Sequence, residues 1–81
     1  MPEAKELTSD EIAFLKNLGF RIQYLRKKKE LSQAQLAEMC DLSNSTISHL
    51  ESTTPFKISL IALYHISKAL DVEPKTLLDF D

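Results

Sequence analysis

The segment from Leu42 to Thr54 concentrates small polar side chains that can hydrogen-bond but carry almost no charge. Glu51 is its single charged residue, whereas a solvated surface helix usually carries several Lys or Glu. At helical spacing Ile47 and Leu50 share one face, and the opposite arc carries Ser45, Ser48, His49 and Ser52, with Asn44 at its border. A charge-poor face of this kind suits hydrogen bonding to base edges in a DNA major groove. The alternative is a Ser- and Thr-rich surface helix with no ligand.

The chain offers little for other kinds of chemistry. His49 and His65 fall on different predicted helices, with no second Cys and no spacing typical of a metal site. Nothing resembles an activated nucleophile, a Gly-rich phosphate loop or an acid–base pair. We therefore expect no enzyme activity, no cofactor, no metal and no small-molecule substrate. Cys40 fits a buried small apolar side chain better than a redox sensor.

The charge distribution leaves the question of a nucleic-acid partner open. A net charge of −2 argues mildly against one, but the acids concentrate at the two ends of the chain. Residues 16–29 contain six basic residues and no acid: Lys16, Arg21, Arg26, Lys27, Lys28 and Lys29. This basic run either complements the dipole of a solvated last helical turn or faces DNA phosphate.

Length and terminal sequence indicate one domain over residues 1–81 that acts inside the cell. The N-terminus lacks the apolar stretch of a signal peptide, and no apolar run reaches the length of a membrane span. A lone cysteine fits a reducing compartment. We therefore expect a cytoplasmic protein without membrane contact, in which residues 1–7 are flexible.

One capping pattern recurs along the chain and predicts an all-α fold. An apolar residue precedes Ser or Thr, and a second apolar residue follows the cap by four positions, as in a hydrophobic staple. The pattern predicts helices that begin after Thr8, Ser32, Ser43 and Ser59, with a weaker fifth start at Glu73 and Pro74. These helices should run to about Lys29, Cys40, Ser52, Leu70 and Phe80.

Two positions bear on how the helices are arranged. Gly19 lies inside the first helix, where it costs about 1 kcal/mol relative to Ala, so a break near residues 17–19 is possible. Only Asp41 and Leu42 separate the second helix from the capping residue of the third. So short a connection predicts a helix-turn-helix over residues 33–52, with Asp41 in the left-handed conformation.

The segments 31–38 (LSQAQLAE) and 42–51 (LSNSTISHLE) together resemble the lambdoid phage repressor and Cro family, or XRE-type regulators. The resemblance covers about residues 18–78. It implies a compact five-helix bundle with the third helix as recognition helix, and sequence-specific binding of double-stranded DNA by a small repressor or controller. We expect a dimer on a palindromic operator. The alternative is a protein-interaction module, such as an antitoxin.

The resemblance also assigns roles to individual residues. It implies that Asn44, Ser45 and His49 read bases, with Ser48 as a further candidate, and that Arg26 and Glu51 form a buried ion pair. Phosphate contacts are expected at the starts of the second and third helices and in the following loop, from Gln33, Ser43, Thr53, Thr54 and Lys57. The turn departs from the family at Asp41, where Gly is preferred, and the loop of residues 52–57 is about one residue longer.

The apolar residues exceed what one small core needs. Leu60, Leu63, Ile66 and Leu70 suit the inner stripe of the fourth helix. The surplus predicts a homodimer through the last two helices, with candidate interface residues Ile61, Tyr64, Leu78 and Phe80. Alternatively, the long first helix covers these groups within one monomer.

Overall fold

The computed structural model describes residues 6–52 and 55–79, and within these ranges the fold is all-α with no strand. Its five helices are α1 (Ser9–Lys28), α2 (Gln33–Cys40), α3 (Asn44–Glu51), α4 (Leu60–Ala69) and α5 (Pro74–Leu77). Thr53, Thr54 and Phe80, which were assigned roles above, lie outside the described residues, as do residues 1–5 of the expected flexible end.

Side-chain caps start the first four helices, which confirms the predicted starts. Thr8 and Ser32 each form a reciprocal capping box with the residue three positions later. Ser43 accepts from the backbone N–H of Thr46 at 3.1 Å, and Ser59 caps α4 in the same way. Such caps satisfy helix N–H groups that have no partner inside the helix, and each contributes about 1 kcal/mol. α5 begins instead with Pro74 and has no side-chain cap.

Each helix contributes apolar side chains to one core. α2 packs against α3 and α4, and α1 packs against α3 and α5. The fully buried members include Leu18, Ile22, Leu36, Ile47, Ile66, Leu70 and Leu77. Leu31, Leu42 and Phe56 pack on this core from the connections. The helix-turn-helix is therefore held from both sides, by α1 and by α4.

The predicted inner stripe of α4 is wrong at Leu60, whose side chain is 81 % exposed. The buried face of this helix includes Ala62 and Ser67 beside the larger residues Leu63 and Ile66. The prediction considered only the large apolar residues of α4. Because the small side chains of Ala62 and Ser67 also pack inward, the observed buried face is rotated away from Leu60.

α1 runs without a break through Gly19, so the possible break does not occur. Gly19 is buried, and a Cβ atom at this position would overlap the backbone carbonyl oxygen of Leu50. The glycine therefore allows the backbone of α1 to lie directly against the last turn of α3. The residue that weakens α1 as an isolated helix fixes its packing in the folded protein.

Candidate nucleic-acid interface

α3 presents one buried and one exposed face. Ile47, Leu50 and Glu51 are buried. The four predicted base-reading residues, Asn44, Ser45, Ser48 and His49, are all exposed. Within the described ranges none of these four side chains makes a hydrogen bond to another residue. The outer arc of α3, defined by these four residues, therefore has donors and acceptors available for a ligand.

The turn between α2 and α3 fixes the direction of α3. Asp41 adopts the left-handed conformation, with φ 58° and ψ 39°, as the short connection predicts. The backbone N–H of Leu42 donates to the carbonyl of Ala37 at 2.9 Å, and that of Asp41 donates to Glu38 at 3.2 Å. These two bonds form a Schellman motif, which ends α2 and reverses the chain within one residue.

Arg26 and Glu51 form a bidentate ion pair beneath α3, as the resemblance implies. Arg26 Nε donates to Glu51 Oε2 at 2.7 Å, and Arg26 Nη2 donates to Oε1 at 2.9 Å. The third guanidinium nitrogen donates to the carbonyl of Leu31 at 2.6 Å. The hydrogen bond to Glu51 raises the pKa of Arg26. One side chain thus joins α1, the start of α2 and the end of α3.

Gln33, the first residue of α2, is half-buried and contacts the same carboxylate. Its Nε2 donates to Glu51 Oε1 at 3.1 Å. Since an amide nitrogen carries two hydrogens, one orients the side chain and the other remains for a second acceptor. The Gln33 side chain is therefore positioned by the ion pair beside the N-terminus of α2.

The other predicted phosphate-binding residues differ in their surroundings. The Ser43 hydroxyl caps α3 and lies 2.8 Å from Thr46 Oγ1, so its hydrogen-bonding capacity is largely used. Lys57 is exposed and borders a shallow groove with Asp10 and Glu11, the acidic start of α1. Lys57 therefore shares its groove with two acidic residues.

The basic run of α1 divides into engaged and solvated members. Arg26 is buried, and Arg21 Nε donates to the carbonyl of Thr76 at 3.2 Å, which joins α1 to α5. Lys27 and Lys28 are exposed in the last turn, and Lys28 Nζ lies 5.8 Å from the centroid of the Tyr24 ring. The exposed lysines at the end of α1 are therefore available to an external anion.

The predicted dimer residues lie on an exposed apolar surface. Ile61 is 62 % exposed, Tyr64 45 % and Leu78 41 %. Ile61 and Tyr64 line an open apolar groove of about 480 Å³, whose other lining residues are Leu60, Leu63 and Pro74. Leu78 lines an adjoining groove that shares Leu60 and Leu63. Leu60 is the most exposed of these residues. It is absent from the predicted interface residues because its spacing had assigned it to the core.

Phe56 is a second residue that sequence reasoning passed over. Its ring packs partly on the core, and its centroid lies 6.4 Å from that of the His49 imidazole at an interplanar angle of 35°. The available signal was a single aromatic residue in an otherwise polar loop.

Two further observations hold for the described part of the chain. It has no cluster of potential metal ligands, and none of its helices has the length and apolar character to cross a membrane.

The chain is similar to several known regulators. A family model described as helix-turn-helix, HTH_3, matches residues 22–77. The control protein C.BamHI of Bacillus amyloliquefaciens is 44 % identical over 63 residues, which are 76 % of each chain. The transcriptional regulator SinR of Bacillus subtilis is 37 % identical over 62 residues, which are 76 % of this chain and 56 % of SinR.

Two solved structures have the same fold. The restriction-modification controller protein C.AhdI of Aeromonas hydrophila superposes with a TM-score of 0.76 at 35 % identity, over 80 % of this chain and 97 % of that one. SinR in complex with DNA superposes with a TM-score of 0.72 at 37 % identity, over 76 % and 98 %. The chain therefore belongs to the HTH_3 helix-turn-helix family, the XRE- and Cro-like DNA-binding transcriptional regulators, which are not enzymes.

Proposed function

We propose that this protein binds a palindromic DNA operator as a dimer and controls transcription in the manner of a restriction–modification controller protein. The observation that carries the proposal is the outer arc of α3, an exposed and uncharged set of hydrogen-bonding side chains on a helix held rigidly from behind. The similarity to C.BamHI and C.AhdI supports the controller class.

The outer arc reads base edges in the major groove. Asn44 has the amide that can pair with the N6 and N7 atoms of adenine, while Ser45, Ser48 and His49 donate or accept single hydrogen bonds. None of the four is a Lys, Arg, Asp or Glu, so the outer arc contributes to specificity more than to overall attraction.

Phosphate is bound at the helix starts on either side of the turn. The free amide hydrogen of Gln33 and the first backbone N–H groups of α2 and α3 point outward from helix N-termini, which favour anions. Thr53, Thr54, Lys57 and the exposed lysines at the end of α1 are the further candidates. With so few cations, one protomer binds weakly, and two are needed for tight binding.

The second protomer docks on the apolar groove of α4 and α5. Leu60, Ile61 and Tyr64 form an exposed apolar surface, and contiguous surfaces of this kind often mark protein contacts. To fit a palindrome, the two-fold contact must set the two copies of α3 about one DNA turn apart, roughly 34 Å. Phe80 is a further candidate for this contact.

Selection of binding sites from random duplex DNA tests the proposal. We expect a palindrome with half-sites about 10 base pairs apart, and an affinity that falls steeply as salt is added. His49→Ala and Asn44→Ala should each lose about 1–3 kcal/mol on the selected operator and much less on random DNA. Lys75→Ala, in an exposed pair with Glu73, is the control and should bind normally. The proposal would be contradicted if the selection recovers no common sequence. It would also be contradicted if the protein binds only a protein partner, with an affinity that does not depend on salt.

A further inference from the structure

We infer that the ring of Phe56 orients the His49 imidazole and thereby sets which base His49 selects, although Phe56 itself need not touch DNA. The inference deepens the proposed function and rests on the base-reading role of His49. Phe56 would then be a positioning residue on the loop that follows α3.

The two rings lie at a distance where aromatic side chains attract each other. Their centroids are 6.4 Å apart and their planes are inclined by 35°. Tilted pairs at about 4.5–7 Å are favourable beyond simple burial of apolar surface. Within residues 6–52 and 55–79 the imidazole makes no hydrogen bond. The ring contact is therefore the interaction in this part of the chain that favours one direction of the His49 side chain.

Phe56 is a fixed neighbour because the core holds it. Its side chain is half-buried and packs on the hydrophobic cluster beneath α3 and α4. An exposed histidine on a short helix otherwise samples several staggered rotamers. A ring anchored in the core restricts that choice, and a side chain already oriented loses less freedom when it binds.

The backbone of the loop is anchored at His49 as well. The Ser52 N–H donates to the carbonyl of His49 at 3.1 Å, and the Ser52 hydroxyl donates to the same oxygen at 2.7 Å. Two residues that follow α3 therefore contact His49: Ser52 binds its carbonyl, and Phe56 contacts its ring. The other three residues of the outer arc are Asn and Ser and have no ring to pair with Phe56.

The experiment compares the selected operator with duplexes that each carry one changed base pair, and with random DNA. Affinities are measured for the wild type, His49→Ala, Phe56→Leu and the double variant. Phe56→Leu keeps an apolar side chain against the core but removes the ring. It should weaken discrimination about three- to tenfold, the worth of one aromatic pair, at the base pair that His49→Ala relaxes. Discrimination elsewhere and affinity for random DNA should not change.

Two further results are expected if Phe56 acts through His49. The double variant should discriminate no worse than His49→Ala alone, and Phe56→Tyr, which retains the ring, should behave as the wild type. Three-bond couplings of His49 in the free protein should report one dominant χ1 rotamer, which becomes averaged in Phe56→Leu. This last measurement needs no DNA and separates orientation from a general loss of binding.

Each contrary outcome is distinct. An equal loss on every duplex, or additive effects of the two substitutions, would show that Phe56 only supports the fold and would overturn the inference. Relaxed discrimination in His49→Ala without any change in Phe56→Leu would leave base reading by His49 intact and remove Phe56 from it. If His49→Ala does not weaken discrimination at any base pair, His49 does not read a base, and the inference fails as well. Should Phe56→Leu unfold, Phe56→Met and the His49 couplings provide the same comparison.

Discussion

At the scale of single residues, Glu51 is a buried charged side chain that depends on its hydrogen-bond partners. It is buried at the end of α3, where its two oxygens accept from Arg26 and one also accepts from Gln33. A buried ion pair adds little net stability, but removal of one partner leaves an uncompensated charge in the interior. The pair therefore fixes the geometry of the helix-turn-helix more than it stabilises the fold.

We predict that Glu51→Leu and Arg26→Met each lower the free energy of unfolding by about 3–5 kcal/mol. The double variant should lose less than either single variant because no unpaired charge remains. Urea denaturation of the three variants measures this difference. Single variants that unfold at the wild-type urea concentration would contradict a structural role for the pair.

Cys40 supports a second prediction at this scale. The side chain is 2 % exposed, and burial raises the pKa of its thiol. We expect iodoacetamide to label Cys40 far more slowly in the native protein than in urea, since the thiolate is the reactive form. Stability should fall as pH rises above the ordinary thiol pKa, because the unfolded chain ionises there first. Equal labelling rates would show that Cys40 is accessible.

At the scale of helices, local sequence predicts starts well and contacts between helices poorly. The caps at Thr8, Ser32 and Ser43 act within one turn, so the pattern that predicts them is complete in the sequence. Gly19 and Phe56 depend on neighbours more than five residues away, Leu50 and His49. No periodicity in the sequence indicates such contacts. The sequence therefore suggested a possible helix break at Gly19 and predicted no role for Phe56. The ion pair was predicted only through a family resemblance.

Gly19→Ala tests the contact between α1 and α3. In an isolated helix this change stabilises by about 1 kcal/mol. Here the added Cβ meets the Leu50 carbonyl, so we predict a net loss of about 1–3 kcal/mol, as for overpacked cores. Asn17→Ala, at an exposed position of the same helix, is the matched control and should be neutral or slightly stabilising. A more stable Gly19→Ala variant would contradict the close approach.

At the bends between helices, introducing a glycine should stabilise the protein. Glu30, Asp41 and Asp71 all have φ near 60°, a conformation that favours glycine. We predict that Glu30→Gly stabilises the protein by about 1 kcal/mol, and Asp41→Gly by less because Asp tolerates this region. Glu38→Gly, inside α2, is the control and should destabilise. In thermal melts, Glu30→Gly and Asp41→Gly should therefore raise the melting temperature, and Glu38→Gly should lower it.

At the scale of the whole molecule, the exposed apolar groove and the outer arc of α3 lie on different helices, so the proposed protein and DNA contacts are separate. We predict that Ile61→Glu sediments as a monomer and binds a two-half-site duplex at least about tenfold more weakly, while affinity for one half-site is kept. Ala13→Glu has the same charge change at an exposed helical position and should resemble the wild type. A wild-type protein that stays monomeric at high micromolar concentration would contradict the proposed dimer.

The exposure of the outer arc has a consequence for how such regulators diverge. Asn44, Ser45, Ser48 and His49 are exposed, and surface substitutions usually change stability by less than about 0.5 kcal/mol. If these four residues read bases as proposed, new operator preferences can evolve at them without compensating changes in the core. The same property makes α3 a practical scaffold for retargeting, in which a new set of four outer residues is grafted onto an unaltered bundle.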